Sequence, residues 1–338
     1  MQVLAISPAC LRFIVAAPAR LVIACALANL LLGAAPAQAQ AWPSKPIRIV
    51  VPTSPGGITD VVTRLFAPAL SANLGEPIVI ENRPGGDNVI GSNYVARTPP
   101  DGYTLLAVFD NFPINQLLRH DVPYDARRDF APISLLITGA QVLIVPANSP
   151  TRDLAAFLTT MRARGSEGNY ATAGVGSSSH LGAELLKLES GIAPVAIHMK
   201  GGAPAMGELV AGRVDMMMIS LGGIASVQIN AGRVLPLAFA SPKRHPDYPQ
   251  VPVLAERFPG FATGAWMGLV APAGTPSAVV QRVFAAVEAA TRDPDVRTRL
   301  AAQQFEIVGS TPEVFGRWIV AEHDKWERVI RVQHISAE

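Results

Sequence analysis

The sequence predicts an α/β protein of two lobes with a ligand cleft between them, and three observations carry that expectation. From residue 47 onward, short apolar runs alternate with helical patterns. Two long apolar stretches, 129–147 and 258–272, carry no helix signal. Two glycine-containing turns, at 53–60 and 173–180, each stand after a strand pattern and before a helical one.

IRIVV (47–51) opens the alternation, followed by a helix over about 59–73, PIVIE (77–81), a helix over about 88–97 and YTLLAV (103–108). Strand, helix, strand in succession dictates a parallel sheet covered on both faces. DFAPISLLITGAQVLIVPA (129–147) suits a strand pair passing from one lobe to the other. Beyond it come a helix over 153–164, the strand GNYATA, a helix over 178–190, the strand APVAIH, a helix over 204–211, and the strands VDMMMI and VLPLAFA. The strand AWMGLVAP (265–272) lies in the return segment and leads into a helical tail. Each of the tail's three pieces starts with Thr-Pro or Asp-Pro, a capping residue followed by proline in the first turn, where its missing N–H costs nothing. Two α/β units with a tail fit one doubly wound domain or two lobes. Two crossings favour a discontinuous first lobe, 42–137 with 262–338, around a second lobe of 138–261, with Trp266 near the cleft. The closing ERVIRVQHISAE reads as an amphipathic tail packed on the first lobe.

Residues 1–41 belong to a different physical class. Arg12 and Arg20 are their only charges, and LVIACALANLLLG is followed by AAPAQAQA. A basic start, a short apolar core and an Ala-x-Ala end describe a cleavable signal peptide, with Ala37-Gln38-Ala39 as the expected cleavage site. Cys25 sits in a loose lipobox, VIAC, but Arg12, Pro18 and Arg20 interrupt the apolar core that should precede a lipid-modified cysteine, so a lipoprotein is not expected. Of the 28 Lys and Arg residues two leave with the leader, and the remaining 26 face 26 Asp and Glu. A neutral mature chain has no electrostatic basis for binding nucleic acid. Both cysteines, Cys10 and Cys25, lie in the leader, which removes disulfides, thiol nucleophiles and thiolate metal sites from the mature protein. The expectation is an exported, periplasmic, cysteine-free protein.

PTSPGGITD resembles a phosphate loop but fits neither G-x-x-x-x-G-K-[ST] nor G-x-G-x-x-G, and it holds no lysine. Its physics is still that of an anion site. Gly56 and Gly57 leave backbone N–H groups unshielded, Thr59 or Asp60 can cap the helix that follows, and a helix start with free N–H groups attracts an anion. AGVGSSSH (173–180) repeats the arrangement with three hydroxyls. Both also read as ordinary tight turns between strand and helix.

The stretch WPSKPIRIVVPTSPGGITDVVTRLFAPALSANLGEPIVIENRPGG, then NVIGSNYVARTPPDGYTLL, VPYDARRDFAPISLL, KGGAPAMGELVAGRVDMMM and WMGLVAPAGTP, is similar to the Bug receptors, the extracytoplasmic substrate-binding proteins of tripartite tricarboxylate transporters. The likeness covers nearly all of 42–332 in order. It implies a two-lobe periplasmic-binding fold of the second topological type, without catalysis, cofactor or metal. It implies a monomer that hands a small carboxylate to a two-subunit membrane permease. In such receptors the carboxylate is held by backbone N–H groups, hydroxyls and bridging waters at two loops. These map onto Thr53, Ser54, Gly57, Ile58, Thr59 and Asp60, and onto Gly176, Ser177, Ser178 and Ser179.

The departures bear on ligand identity. Where these receptors often read Pro-Tyr-Lys-Gly, this chain has His198-Met199-Lys200-Gly201, so Met199 offers a thioether in place of a phenol. Where many read Phe-Asp, it has Met218-Ile219, followed by Ser220, and a carboxylate is gone. The segment AVFDNFPIN is about one residue short and carries Asp110, which either borders the cleft, where it repels a second carboxylate or pairs with an amine, or faces solvent or caps the short helix that follows. Ile58, Phe112 and Met199 supply an apolar wall, which suits a small organic acid. Met216, Met217 and Met218 read as buried strand. None of the six histidines forms a short metal pair, and His180 beside the serines lacks the G-x-S-x-G of a hydrolase. Two function classes remain: a transport receptor for a carboxylate, and a periplasmic sensor that presents its bound ligand to a signalling protein.

Overall fold

Three apolar runs become parallel strands β1 (Ile47–Val51), β2 (Ile78–Asn82) and β3 (Thr104–Phe109) in the computed structural model, which describes residues 42–336. The expected leader, its cleavage site and Cys25 lie outside the described residues. Helices α1 (Ile58–Leu74) and α2 (Val89–Ala96) connect the strands, and α3 (Asn115–Leu118) follows β3. β1 is central, with Ile49 opposite Ile80 on one side and Leu105 on the other. Its residues Ile47, Ile49, Val50 and Val51 are fully buried, as a strand covered on both faces requires.

The stretch at 130–146 folds as one strand, β4 (Phe130–Pro146), not as the expected strand pair. Gly139 lies inside this strand. A Cβ there would stand 2.7 Å from a ring carbon of Phe305, so the glycine answers a close approach. The first part of β4 pairs antiparallel with β9 (Gly264–Pro272) and with the short β10 (Glu306–Ile307). From Gln141 onward it pairs with β7 (Met216–Ser220) and β8 (Val234–Phe239). Register shifts at Pro132/Ser134 and Leu135/Ile137 curl the strand, the first of them beside a proline that cannot donate to a ladder.

Between β4 and β9 the chain builds a second α/β unit. It contains α4 (Leu154–Arg164), β5 (Asn169–Thr172), α5 (Ser178–Ser190), β6 (Val195–His198), α6 (Gly202–Val210) and α7 (Ile224–Asn230). Sequence reading missed α7 and β10, the first because IASVQIN is only two turns long, the second because two residues show no periodicity. β5 pairs parallel with β6 and β7. Met216, Met217 and Met218 are fully buried, as expected of strand residues. The tail folds as α8 (Ser277–Ala290), α9 (Pro294–Ala302) and α10 (Pro312–Val332). Asp293 and Thr311 cap α9 and α10 as expected, but Thr275 does not cap α8, and its hydroxyl donates to the Pro272 carbonyl.

The strands follow one path, β2-β1-β3-β9-β4-β7-β5-β6. The two sheets are thus joined through β4, and Lys45–Glu338 form one compact unit. Helix α10 spans both sides of the junction. Phe315 and Ile319 pack with Leu106, Val108 and Trp266, while Trp326, Val329 and Ile330 pack with Tyr170, Leu185 and Leu186. The end of the tail therefore lies against the second unit, not the first, because the apolar stripe of α10 is long enough to serve both cores. Trp266 and Phe112, expected near the cleft, are core residues. Trp266 meets Phe315 edge-on at 5.9 Å, and Phe112 stacks on Tyr124 at 5.7 Å. Among the described residues no helix is long and apolar enough to cross a membrane.

Gly268 sits in β9 under Phe315, and a Cβ there would lie 2.8 Å from the Ser134 carbonyl oxygen, a backbone atom that cannot swing away. Gly268→Ala should therefore destabilise the protein by about 1–3 kcal/mol through overpacking. Urea unfolding measures this, and an unchanged midpoint would show that the β4–β9 junction is slack.

Candidate ligand-binding site

In parallel α/β sheets, ligands gather at the carboxyl ends of the strands. Here those ends carry the loops 52–57, 83–88 and 110–114 in the first unit, and 173–177, 199–201 and 221–223 in the second. Both sequence-predicted loops are among them.

The first loop leads into α1, whose N-cap is Gly57 at φ −67, ψ 160, with no side-chain cap. The first helical bond runs from Val61 N–H to the Gly57 carbonyl, so the N–H groups of Ile58, Thr59 and Asp60 precede it. The position where a capping hydroxyl or carboxylate would sit is vacant because the residue is glycine. Beside it are two shielded hydroxyls, Thr53 Oγ1 and Thr59 Oγ1, that have no hydrogen-bond partner among the described residues. Ser54 is exposed at the loop tip, and its carbonyl accepts from Gly57 N–H at 3.2 Å. Ile58 is half-buried.

Neither Thr59 nor Asp60 caps α1 as expected, because the N-cap falls earlier, at Gly57. Asp60, also expected to face the ligand, instead braces the loop. It is 2 % exposed, and its oxygens accept from Gly56 N–H at 2.9 Å, from Asn82 Nδ2 at 2.9 Å and from Arg64 Nε at 2.9 and 3.0 Å. Asn82 Nδ2 also donates to the Thr53 carbonyl. Burial pushes the Asp60 carboxyl up, and the Arg64, Gly56 and Asn82 hydrogen bonds more than offset it, holding the group below the usual carboxylate range.

The second loop is already satisfied by its own side chains. Ser177 caps α5, accepting from His180 N–H at 3.3 Å while donating to the Gly174 carbonyl at 2.6 Å. Ser179 Oγ accepts from Ala173 N–H at 2.8 Å and lies 2.9 Å from Ser177 Oγ. Gly176, at φ +73, donates its N–H to His180 Nδ1 at 3.1 Å, and a Cβ on it would come within 2.5 Å of Leu118 in α3. Burial and the nearby His198 ring lower the His180 pKa to about 4, against the pull of Glu184, so the imidazole is neutral and free to accept that bond. Of the four expected residues, Ser178 alone keeps a side chain outside this self-capping network. Met199 lies beside the loop, its N–H donating to the Thr172 carbonyl at 3.0 Å.

Asp110 is half-buried and does not cap α3, whose N-cap is Ile114. Its Oδ2 is shielded and unpartnered. Burial, and secondarily Glu322, push its pKa up to about 7, with the Asn111 N–H opposing. It borders a narrow space shared with Ser178, Gln141, Thr263, Glu322 and Trp326. Ser220 stands opposite Gln141 in the β4–β7 ladder and so shares its face. The expected Asp110 and Ser178 are therefore brought together from different units.

A family model described as the tripartite tricarboxylate transporter family receptor matches residues 62–335. The chain belongs to this receptor family. Protein BugT of Bordetella pertussis is 33% identical over 301 residues, covering 88% of this chain and 92% of that one. Among solved structures, Rpa4515 of R. palustris with adipate is similar at TM-score 0.72 and 33% identity, covering 87% of this chain and 99% of that one. MatC (Rpa3494) from Rhodopseudomonas palustris with bound malate is similar at TM-score 0.68 and 33% identity, covering 86% and 100%. The Bug-type family and the periplasmic-binding α/β fold expected from the sequence are those of the chain, and the family is one of binding receptors.

Against this receptor framework, sequence reading missed Gln141, Thr263 and Glu322. Two of them left a signal. Gln141 is the one amide in the apolar run ITGAQVLIV, and helical spacing puts Glu322 on the same stripe as Phe315, Ile319 and Trp326.

Asp60→Asn should cost about 1–3 kcal/mol, the usual magnitude for hydrogen bonds to a charged group. Because the folded carboxyl is held below its ordinary 3.8, this stability is present above that value and lost as pH falls through the lower folded value. Chemical denaturation should show a gap between wild type and variant at pH 7 that closes below about pH 3.8. A gap independent of pH would remove the charge-based account.

Proposed function

We propose that this protein is a periplasmic receptor that captures a small organic carboxylate at the start of α1 and delivers it to a two-subunit membrane permease of the tripartite type. The observation that carries the reading is the uncapped helix start at Gly57, with the Thr53 and Thr59 hydroxyls left without partners around it. A ligand carboxylate there stands in for the missing cap. It accepts from the first-turn N–H groups and from the hydroxyls, and it meets the positive end of the helix dipole. No Lys or Arg lies within 53–60 or 173–180, which suits one carboxylate better than a doubly charged phosphate. Relatives of similar fold hold adipate and malate, which supports the same ligand class here.

In this reading the protein is a monomer. Its lobes divide at 137/138 and 261/262, and β4, β9 and α10 link them. The second loop, with Ser177 and Ser179 already engaged, closes over the ligand through Ser178, with Met199 and Ser220 on the wall. No step makes or breaks a covalent bond.

Gly57→Asp tests the anchor, because it supplies a carboxylate from the chain itself at the N-cap. The backbone angles there suit any residue, but a Cβ would stand 3.3 Å from the Ser54 carbonyl oxygen and Thr53 Oγ1, so the ligand-free protein should stay within about 1 kcal/mol of wild type. Thr59→Val removes an orphan hydroxyl without changing shape and should leave the ligand-free stability intact or raised. Titration calorimetry over a panel of mono-, di- and tricarboxylates should show affinity reduced at least ~10-fold in both variants, as expected for one lost bond to a charged group. Wild-type affinity in both would show that the loop is only a turn.

A further inference from the structure

We propose that Asp110 and Gln141 form a specificity pocket that reads a protonated amine on the bound acid. The proposal deepens the carboxylate reading and rests on it. Asp110 at the end of β3, Ser178 at the start of α5, Gln141 on β4, Thr263 just before β9 and Glu322 on α10 converge on one space. That space admits about one water molecule, the size of an ammonium head.

Gln141, Thr263 and Glu322 are buried, Asp110 and Ser178 half-buried, and their polar atoms are only partly matched. Gln141 is fully buried, and its Nε2 has no partner among the described residues, like Asp110 Oδ2. The other end of the Gln141 amide accepts from the Thr263 hydroxyl. Rotating that amide by half a turn lets Nε2 donate to Thr263 Oγ1 and turns Oε1 toward the space, since the hydroxyl accepts as readily as it donates. Gly182 on α5 leaves room for the amide, because a Cβ there would collide with it. An incoming ammonium then meets Asp110 Oδ2 and Gln141 Oε1, with Ser178 at the edge.

The charge balance points the same way. Glu322 is neutralised by Lys325 Nζ at 2.5 Å and receives Trp326 Nε1 at 2.9 Å. Lys325 also donates to the Ala262 carbonyl and is not turned to Asp110. Two carboxylates and one lysine leave the space short of one positive charge. A buried carboxylate with an empty oxygen is stable only when it takes a proton or a cation. Ser178 also belongs to the second loop, so the space adjoins the loop that covers the ligand in the proposed reading.

Calorimetry on the full-length mature protein with matched pairs tests this: butanedioate and its 2-amino derivative, pentanedioate and its 2-amino derivative, and butanoate and its 4-amino derivative. Wild type should prefer the aminated member of at least one pair by roughly 10- to 100-fold, the worth of one charge-assisted hydrogen bond set. Asp110→Asn, equal in shape, should abolish that preference while leaving the parent acid's affinity unchanged or higher. The wild-type protein gives a second, mutation-free readout. The N-trimethyl form of the preferred acid carries the charge but no N–H and does not fit, so its binding should fall to the level of the parent acid or below. If wild type binds both members of every pair equally, or Asp110→Asn shifts both by one factor, the space holds only a water and a proton, and the amine pocket is refuted. If no acid of any kind binds, the carboxylate reading falls with it.

Discussion

One strand holds the molecule together. β4 is hydrogen-bonded first to β9 and β10 and then to β7 and β8, so one backbone serves both sheets. A strand of 17 residues cannot stay flat while serving two sheets, and the register shifts at Pro132 and Leu135 supply the bend. Gln141 stands where the change of partner occurs. Ala140 is the last residue paired with β9, and Gln141 the first paired with β7. The buried amide, the unpartnered Asp110 oxygen and the Glu322–Lys325 pair all sit at this seam. The seam is where two independently packed cores meet and neither fills the space.

The two helix starts differ in how they are satisfied. α5 is closed by its own serines and by a neutral histidine. α1 is left with a glycine where a cap belongs, and with a carboxylate, Asp60, tied behind the loop rather than in front of it. Asp60 keeps the loop's shape while its charge is spent on Arg64 and Asn82. The acidic residue nearest the anchor therefore offers no lone pair to repel an incoming anion. In the proposed reading, the unfilled start is the fixed side of the site and the self-sufficient start its covering side, with no cationic side chain in either loop.

Much of this was legible in the sequence for physical reasons. Ile47, Ile49, Val50 and Val51 read as a doubly covered strand because they are apolar on both faces. PGG before ITD read as a helix start with exposed N–H groups because glycine carries no side chain to shield them, but the expected cap, Thr59 or Asp60, falls inside the helix and Gly57 takes the cap position. The functional residue types in 173–180 were visible, but not that Ser177 and Ser179 spend their hydroxyls on the loop itself, since side-chain bonding within a turn leaves no periodic trace. Asp110 and Phe112 are two residues apart and read alike as cleft groups. One turns into the seam, and the other stacks on Tyr124 in the core, a choice made by tertiary packing. The stretch 129–147 read as a strand pair, whereas it is one strand whose Gly139 is required by the ring of Phe305, far along the chain.

The empty cap at Gly57 also bears on how the protein behaves in its surroundings. A helix start with free N–H groups and a positive dipole does not distinguish at first contact between a cognate acid and any other small anion. Chloride, acetate or phosphate present at high concentration occupies the same donors in passing and must be displaced before the true ligand settles. Apparent affinity then depends on which anions fill the medium as well as on total ionic strength. Discrimination has to come from the far side of the cleft, after the carboxylate has already been caught.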